Sequence, residues 1–146
     1  MDTRPPDRRS ACPINACLEM FGDRWTLLIV RDLLFSGRTA YSEFLAAEEG
    51  MATTILADRL RRMEENGIVR RRRDGADGRR VSYALTEKGL DLAPILIEMV
   101  LWAARYEQTA APPALVRRMR ADRPGFVREL RRQHEAAERR KAPAGE

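Results

Sequence analysis

Residues 50–89, GMATTILADRLRRMEENGIVRRRRDGADGRRVSYALTEKG, decide how the whole chain is read. From about Ala52 to Asn66 the spacing predicts a helix, with Leu56, Leu60 and Met63 along one side and Gly67 just past its end. The stretch that follows predicts a two-stranded ribbon. DGADG is its hairpin loop, and the return strand alternates, with Val81, Tyr83 and Leu85 expected inward and Ser82 and Ala84 outward. The arms and tip carry Arg70, Arg71, Arg72, Arg73, Arg79 and Arg80 against Asp74 and Asp77, which makes the ribbon a wing with a basic edge.

Working upstream, INACLEMF reads as a short helix that Gly22 closes in the left-handed conformation, after which Asp23 can cap a second helix, WTLLIVRDLLF. That second helix is apolar on most sides and is expected to be the buried centre, with Trp25, Leu28, Ile29, Leu33 and Leu34 as core and Ser36-Gly37 as its stop. Thr39 to Tyr41 can form a very short strand. Ser42 then begins a brief helix, SEFLAAEE, ended by Gly50, and this helix with the one over 52–66 makes a helix-turn-helix.

Downstream, Thr86 is expected to cap a long helix, EKGLDLAPILIEMVLWAARYEQ, which Pro94 should bend. Leu92, Ile95, Leu96, Met99, Val100 and Trp102 offer more apolar surface than so small a core needs, and the surplus calls for a partner helix from a second copy. After Ala110–Pro113 come two further helical pieces, separated by Pro124. The fold class is therefore mainly α with a small β-hairpin: a winged helix-turn-helix domain with a long dimerisation helix and a helical C-terminal tail. The expected divisions are a flexible arm over 1–11, a DNA-binding and dimerisation domain over 12–109 and a helical extension over 110–146.

A chain of 146 residues with 34% charged residues can build one compact domain around a thin core. The formal net charge of +5 comes from 27 Lys and Arg against 22 Asp and Glu, so the placement of the excess matters more than its size. Met1 to Ala11 is too polar for a signal peptide and no apolar run approaches the ~20 residues of a membrane span, so a cytoplasmic protein with no membrane partner is expected. Cys12 and Cys17 lie five apart with His134 far away, which is neither a disulfide framework nor a zinc spacing; no metal or cofactor is expected. No nucleophile, base and orienting group converge in the sequence, so the chain is read as a binding protein and not an enzyme. Tyr41 and Tyr83 are too few to serve as base-stacking platforms for RNA.

Duplex DNA meets these features. Its major groove, about 12 Å wide, accepts one helix, and its phosphates require positive charge beside whatever enters. With Leu56, Leu60 and Met63 inward, a turn of about 100° per residue points Thr54, Ala57, Asp58 and Arg61 outward, with Thr53 at the amino-terminal edge. The hydroxyls of Thr53 and Thr54 can bond a phosphate or a base edge, and Arg61 can reach guanine or backbone. Asp58 either accepts from cytosine or orients a neighbouring arginine. Arg79 and Arg80 sit where a guanidinium can enter a narrow minor groove, and Arg38, Ser42, Arg72 and Arg73 complete the candidate contacts on the wing and its flanks. A charge run is often only a solvated face, but a basic hairpin directly after a helix-turn-helix is a more specific signal than either feature alone. The competing reading is a winged helix used for protein interaction or dimerisation without specific DNA binding, for which Asp58, Glu64 and Glu65 leave some room.

CPINACLEMFGDRWTLLIVRDLLFSG, YSEF, GMATTILADRLRRMEENGIV and VSYALTEKG together resemble the HxlR family of bacterial regulators, a branch of the MarR-like winged helices, over about Cys12 to Tyr106. The resemblance is carried by Cys12-Pro13, the Gly22 to Trp25 turn, Leu60-Arg61 through Gly67, and Leu85-Thr86 with Gly89. It implies a homodimer built from the amino-terminal helix and the long helix after the wing, with Ile14, Leu18, Leu96, Met99 and Trp102 as interface candidates. It further implies an inverted-repeat operator, most often under repression. Ala40 stands where the family typically has a basic residue, with Arg38 as its compensation, and Ala52 stands where the family usually caps the recognition helix with serine. The wing is similar to the broader MarR pattern, in which Asp77 would brace Arg79. Some members sense electrophiles or oxidants through a cysteine at the place of Cys12, and a thiolate near a helix amino terminus is the more reactive form. A small apolar effector between the winged domain and the dimer helix fits the same plan, with Trp25 and Trp102 as aromatic candidates.

Overall fold

The computed structural model describes residues 7–75 and 78–141. Ten elements follow in order: α1 (Pro13–Phe21), α2 (Thr26–Phe35), α3 (Tyr41–Leu45), α4 (Thr53–Glu65), β1 (Val69–Asp74), β2 (Arg80–Leu85), α5 (Glu87–Leu90), α6 (Ala93–Tyr106), α7 (Pro113–Ala121) and α8 (Arg123–Lys141). This is the winged helix-turn-helix architecture that the sequence implies, with α3 and α4 as the helix pair and β1–β2 as the wing.

Helix α2 is the buried centre, through Ile29, Val30, Leu33 and Leu34, while Leu28 is only half-buried. Asp23 starts it as expected: its Oδ2 accepts from the amides of Trp25 and Thr26 at 2.9 and 3.0 Å, and Oδ1 accepts from the Thr26 hydroxyl at 2.6 Å. Gly22, however, has φ −77°, so it does not close α1 in the left-handed conformation. Its need for glycine is steric, because a Cβ there would lie 2.3 Å from the Leu18 carbonyl oxygen. Gly89 is constrained in the same way, with the Ile68 carbonyl oxygen 2.2 Å from where a Cβ would stand. That close approach seats the turn after the wing against the turn before it.

Three further expectations are corrected. The long helix after Thr86 is two helices, α5 and α6, and Pro94 lies in the first turn of α6, where its missing amide costs nothing, so it bends no helix. Pro124 likewise falls in the first turn of α8 and not between helices. In β2 the simple alternation gives way: Leu85 is buried as expected, but Ser82 and Ala84 are buried too, and Val81 and Tyr83 are only half-buried. The reason is the register, in which Ser82 pairs with Arg72 and Ala84 with Arg70. That face of the ribbon is covered by α8, whose Glu138 bonds both arginines. A helix supplied from the far end of the chain thus covers a second side of the strand, while Leu85 and Tyr83 still pack on the core.

The same tail joins the core. Val116, Met119, Phe126 and Leu130 are buried in one hydrophobic cluster with residues of α2, α4 and α6. At about 1.5–3 kcal/mol for each fully buried apolar side chain, this packing outweighs the surface ion pairs that accompany it, each worth about 0–1 kcal/mol. The extension is therefore a packed layer of the same body.

Candidate nucleic-acid interface

Thr53, Thr54, Ala57 and Arg61 are exposed on α4 while Leu56, Leu60 and Met63 are buried, so the helix presents the face that its periodicity predicts. Ala52 precedes α4 and offers no side-chain cap. The start of the helix is instead held from outside, by the Tyr41 hydroxyl donating to the Thr53 carbonyl at 2.6 Å. Its middle is held by Arg59, whose Nε donates to Asp23 Oδ2 at 2.9 Å. Asp23 thus caps α2 and anchors α4 with one carboxylate. Burial pushes its carboxyl up, but the bonds from Thr26, the Trp25 amide and Arg59 outweigh that and hold it below the usual carboxylate range.

Asp58 lies among three arginines. Its Oδ1 accepts from Arg61 at 2.9 Å, and Oδ2 pairs with Arg62 at 3.1 Å and with Arg59. Partial desolvation raises its carboxyl, yet Arg61 and the neighbouring guanidinium charges lower it further and keep it ionised. Arg61 is bound on its other side by Glu65 at 2.8 Å. Of the two roles open to Asp58, the geometry realises the orienting of arginine. It also restrains Arg61, the long exposed cation of this face.

On the flank, Arg38 is half-buried with Nη1 3.8 Å from Asp32 Oδ2. Asp32, which sequence reasoning did not single out, is buried in α2 and also accepts from Arg31 Nε at 3.0 Å. Arg31 in turn grips Glu49 with two bonds of 2.8 Å, and that grip draws the Glu49 carboxyl down to about 2. A lone carboxylate inside the apolar run of α2 was the available signal. Ser42 is exposed at the second position of α3, and Arg73, Arg79 and Arg80 are exposed on the wing. Arg72 does not join them: its side chain is 15% exposed and paired with Glu138, so the expectation that it faces DNA is corrected. Asp77, expected to brace Arg79, lies outside the described residues.

The apolar surplus divides between two sides of α6. Leu96 is buried with Ala93, Ile97 and Leu101 in the protomer's own core, which removes it from the interface candidates. Ile95, Met99, Trp102 and Tyr106 remain exposed, with Trp102 at 64% and its ring 5.3 Å from that of Tyr106. Helix α1 contains no buried residue and exposes Ile14 and Leu18. A nine-residue helix is marginal by itself. Cys12 is exposed immediately before α1 and Cys17 is half-buried within it. The preceding arm is tied to this helix where it is described, through the Arg9 amide bonding Glu19 Oε1 at 3.0 Å. Among the described residues no group of metal ligands converges, and no helix is long and apolar enough to cross a membrane.

Comparison with known proteins places this geometry. The HxlR-like helix-turn-helix family matches residues 20–111. An uncharacterized HTH-type transcriptional regulator of Synechocystis, sll1512, is 35% identical over 88 residues, 60% of this chain and 64% of that protein, so the match spans under two thirds of its length. The solved structure of PA1607, described as a putative transcription factor, is 36% identical with a TM-score of 0.62 over 71% of each chain. The reduced form of the transcriptional regulator YodB from Bacillus subtilis is 32% identical with a TM-score of 0.55, over 65% of this chain and 93% of that one. YodB has also been solved diamide-treated and quinone-bound.

Proposed function

The chain belongs to the HxlR-like helix-turn-helix family, and from that membership we propose that it is a sequence-specific regulator that binds an inverted-repeat operator as a homodimer and represses transcription in the cytoplasm. The observation that carries the reading is the exposed row Thr53, Thr54, Ala57 and Arg61 on a helix pinned at its start and middle, beside a wing exposing Arg73, Arg79 and Arg80. Arg38 and Ser42 flank that surface, and Asp58 sets the pose of Arg61. A helix that enters the major groove beside a basic wing meets both the base edges and the phosphates.

Dimerisation uses Ile14, Leu18, Met99 and Trp102, joined by Ile95 and Tyr106. A second copy covers apolar surface that each protomer leaves open and lends α1 the packing it lacks. Residues 12–109 form the DNA-binding and dimerisation domain and 110–146 the C-terminal extension, whose described helices α7 and α8 pack against it. Cys12, exposed immediately before α1, is the site at which an oxidant or electrophile releases the operator, and a small apolar effector between the winged domain and the dimer helix is the second signal that fits this plan. The redox forms in which YodB has been solved favour the cysteine route.

The test is fluorescence anisotropy of the purified chain on the DNA upstream of its own gene, over a salt series, with a scrambled duplex as competitor. Preference for the native duplex, with affinity falling steeply as salt rises, is the expected result. Binding to neither duplex, in reduced and oxidised samples alike, overturns the reading in favour of a protein-interaction module.

A further inference from the structure

We propose that the C-terminal extension is part of the DNA-binding surface, and that Lys141, in the last turn of α8, contacts the sugar-phosphate backbone of the duplex beside the wing. This rests on the DNA-binding reading above and adds a contact from beyond residue 111, where the family match ends.

Lys141 is separated from Thr39 by 102 positions, yet its Nζ donates to Thr39 Oγ1 at 2.6 Å. That bond brings the end of α8 to the mouth of an open cleft of about 840 Å³, walled by the start of α3 on one side and by Arg79 and Arg80 on the other. Tyr41 lines the same cleft, and its hydroxyl is the group that holds the first residue of α4. The cleft therefore adjoins the amino end of the recognition helix. A duplex that takes α4 into its major groove carries the neighbouring backbone past this point toward the wing. There, cations from two elements far apart in sequence line one recess. The acidic residue in its lining, Glu43, is exposed and caps the start of α3, with Oε1 accepting from the Ala40 amide at 3.0 Å and the Thr39 amide at 3.4 Å, so three cations face one carboxylate there. A polyanion is the occupant that such a surface fits.

Basic residues in a last helical turn are favoured by the helix dipole alone, which accounts for the composition Arg139, Arg140, Lys141. The dipole does not account for where that turn lies. Its position is fixed by the packing of Phe126 and Leu130 and by Glu138 on Arg70 and Arg72. His134 Nε2, 3.2 Å from the Leu85 carbonyl, adds a third anchor. The end of α8 is thus held against the ribbon that the DNA meets.

The test compares the full chain with its Lys141→Ala, Lys141→Arg, Thr39→Val and Arg61→Ala variants, on the upstream duplex and a scrambled duplex across a salt series. Lys141 is exposed at a helix end, so these changes leave the core intact. Lys141→Ala should weaken both duplexes alike and reduce the magnitude of the slope of log K against log salt by about 0.9, the release from one phosphate. Lys141→Arg and Thr39→Val should keep the wild-type slope. A wild-type slope for Lys141→Ala, or a Thr39→Val variant that reproduces its loss, overturns the contact and makes the bond to Thr39 a packing detail. In that event wild-type binding and the Arg61→Ala defect persist, whereas wild-type protein that binds neither duplex removes the DNA reading and this contact together.

Discussion

The hydroxyl of Tyr41 stands 2.6 Å from the carbonyl oxygen of Thr53 and joins the first residue of α3 to the first residue of α4. Because Ala52 supplies no cap, this bond is what fixes the recognition helix at its entering end. Tyr41→Phe should lower stability by about 1 kcal/mol and Tm by about 2–4 °C. It should also reduce discrimination between operator and scrambled duplex. An unchanged melt with unchanged discrimination would show that the helix start is fixed by packing alone.

Asp58 both places and restrains Arg61. Asp58→Asn removes a negative charge from the exposed face of α4 and releases the guanidinium, so on the proposed DNA-binding reading affinity for scrambled DNA should rise while the specific-to-nonspecific ratio falls. Competition anisotropy measures both. A ratio that stays constant would assign Asp58 no part in positioning.

Asp32 is buried, with Arg31 and Arg38 drawn toward it. Asp32→Asn should cost about 2 kcal/mol, because bonds between a carboxylate and charged donors are lost inside the fold while the arginines, each about a third exposed, recover water. Chemical denaturation at neutral pH reads the loss. A variant as stable as wild type would mean that the buried carboxylate barely offsets its own desolvation.

His134 sits under the wing, where burial lowers its pKa below the ordinary 6.5 despite the opposing pull of Glu138 and the Leu85 carbonyl. A folded-state pKa below the unfolded one means that the unfolded chain binds the extra proton first. The contribution of neutral His134 is therefore complete above about pH 6.5 and declines as pH falls from there toward the folded value. Tm should drop more between pH 7.5 and 5.5 in wild type than in His134→Gln, values chosen to bracket that window of roughly one side-chain titration. Parallel pH curves would place the loss elsewhere.

Trp102 is exposed beside Tyr106 on the open side of α6. Trp102→Glu should give a folded monomer by sedimentation, with weakened operator binding because two half-sites are no longer engaged together. A dimer of unchanged affinity would move the interface off this face.

The phase of α4, the existence and basic edge of the wing, and the apolar surplus after it were all legible in the sequence, because each is set by neighbours within a few positions. Leu56, Leu60 and Met63 fix which side of α4 is buried whatever else surrounds it. The chain by itself thus determined a winged helix-turn-helix with an outward Thr53, Thr54 and Arg61. Only the tertiary structure decided what covers each face. Glu138 reaches Arg72 across 66 positions and Lys141 reaches Thr39 across 102, and no local pattern encodes such meetings. For that reason Ser82 and Ala84 turned out to be inside and Arg72 turned out to be spent on α8, while Leu96 belongs to the protomer's own core. Periodicity states that a side chain will be buried, but the identity of its cover depends on long-range packing, which is where α7 and α8 intervened.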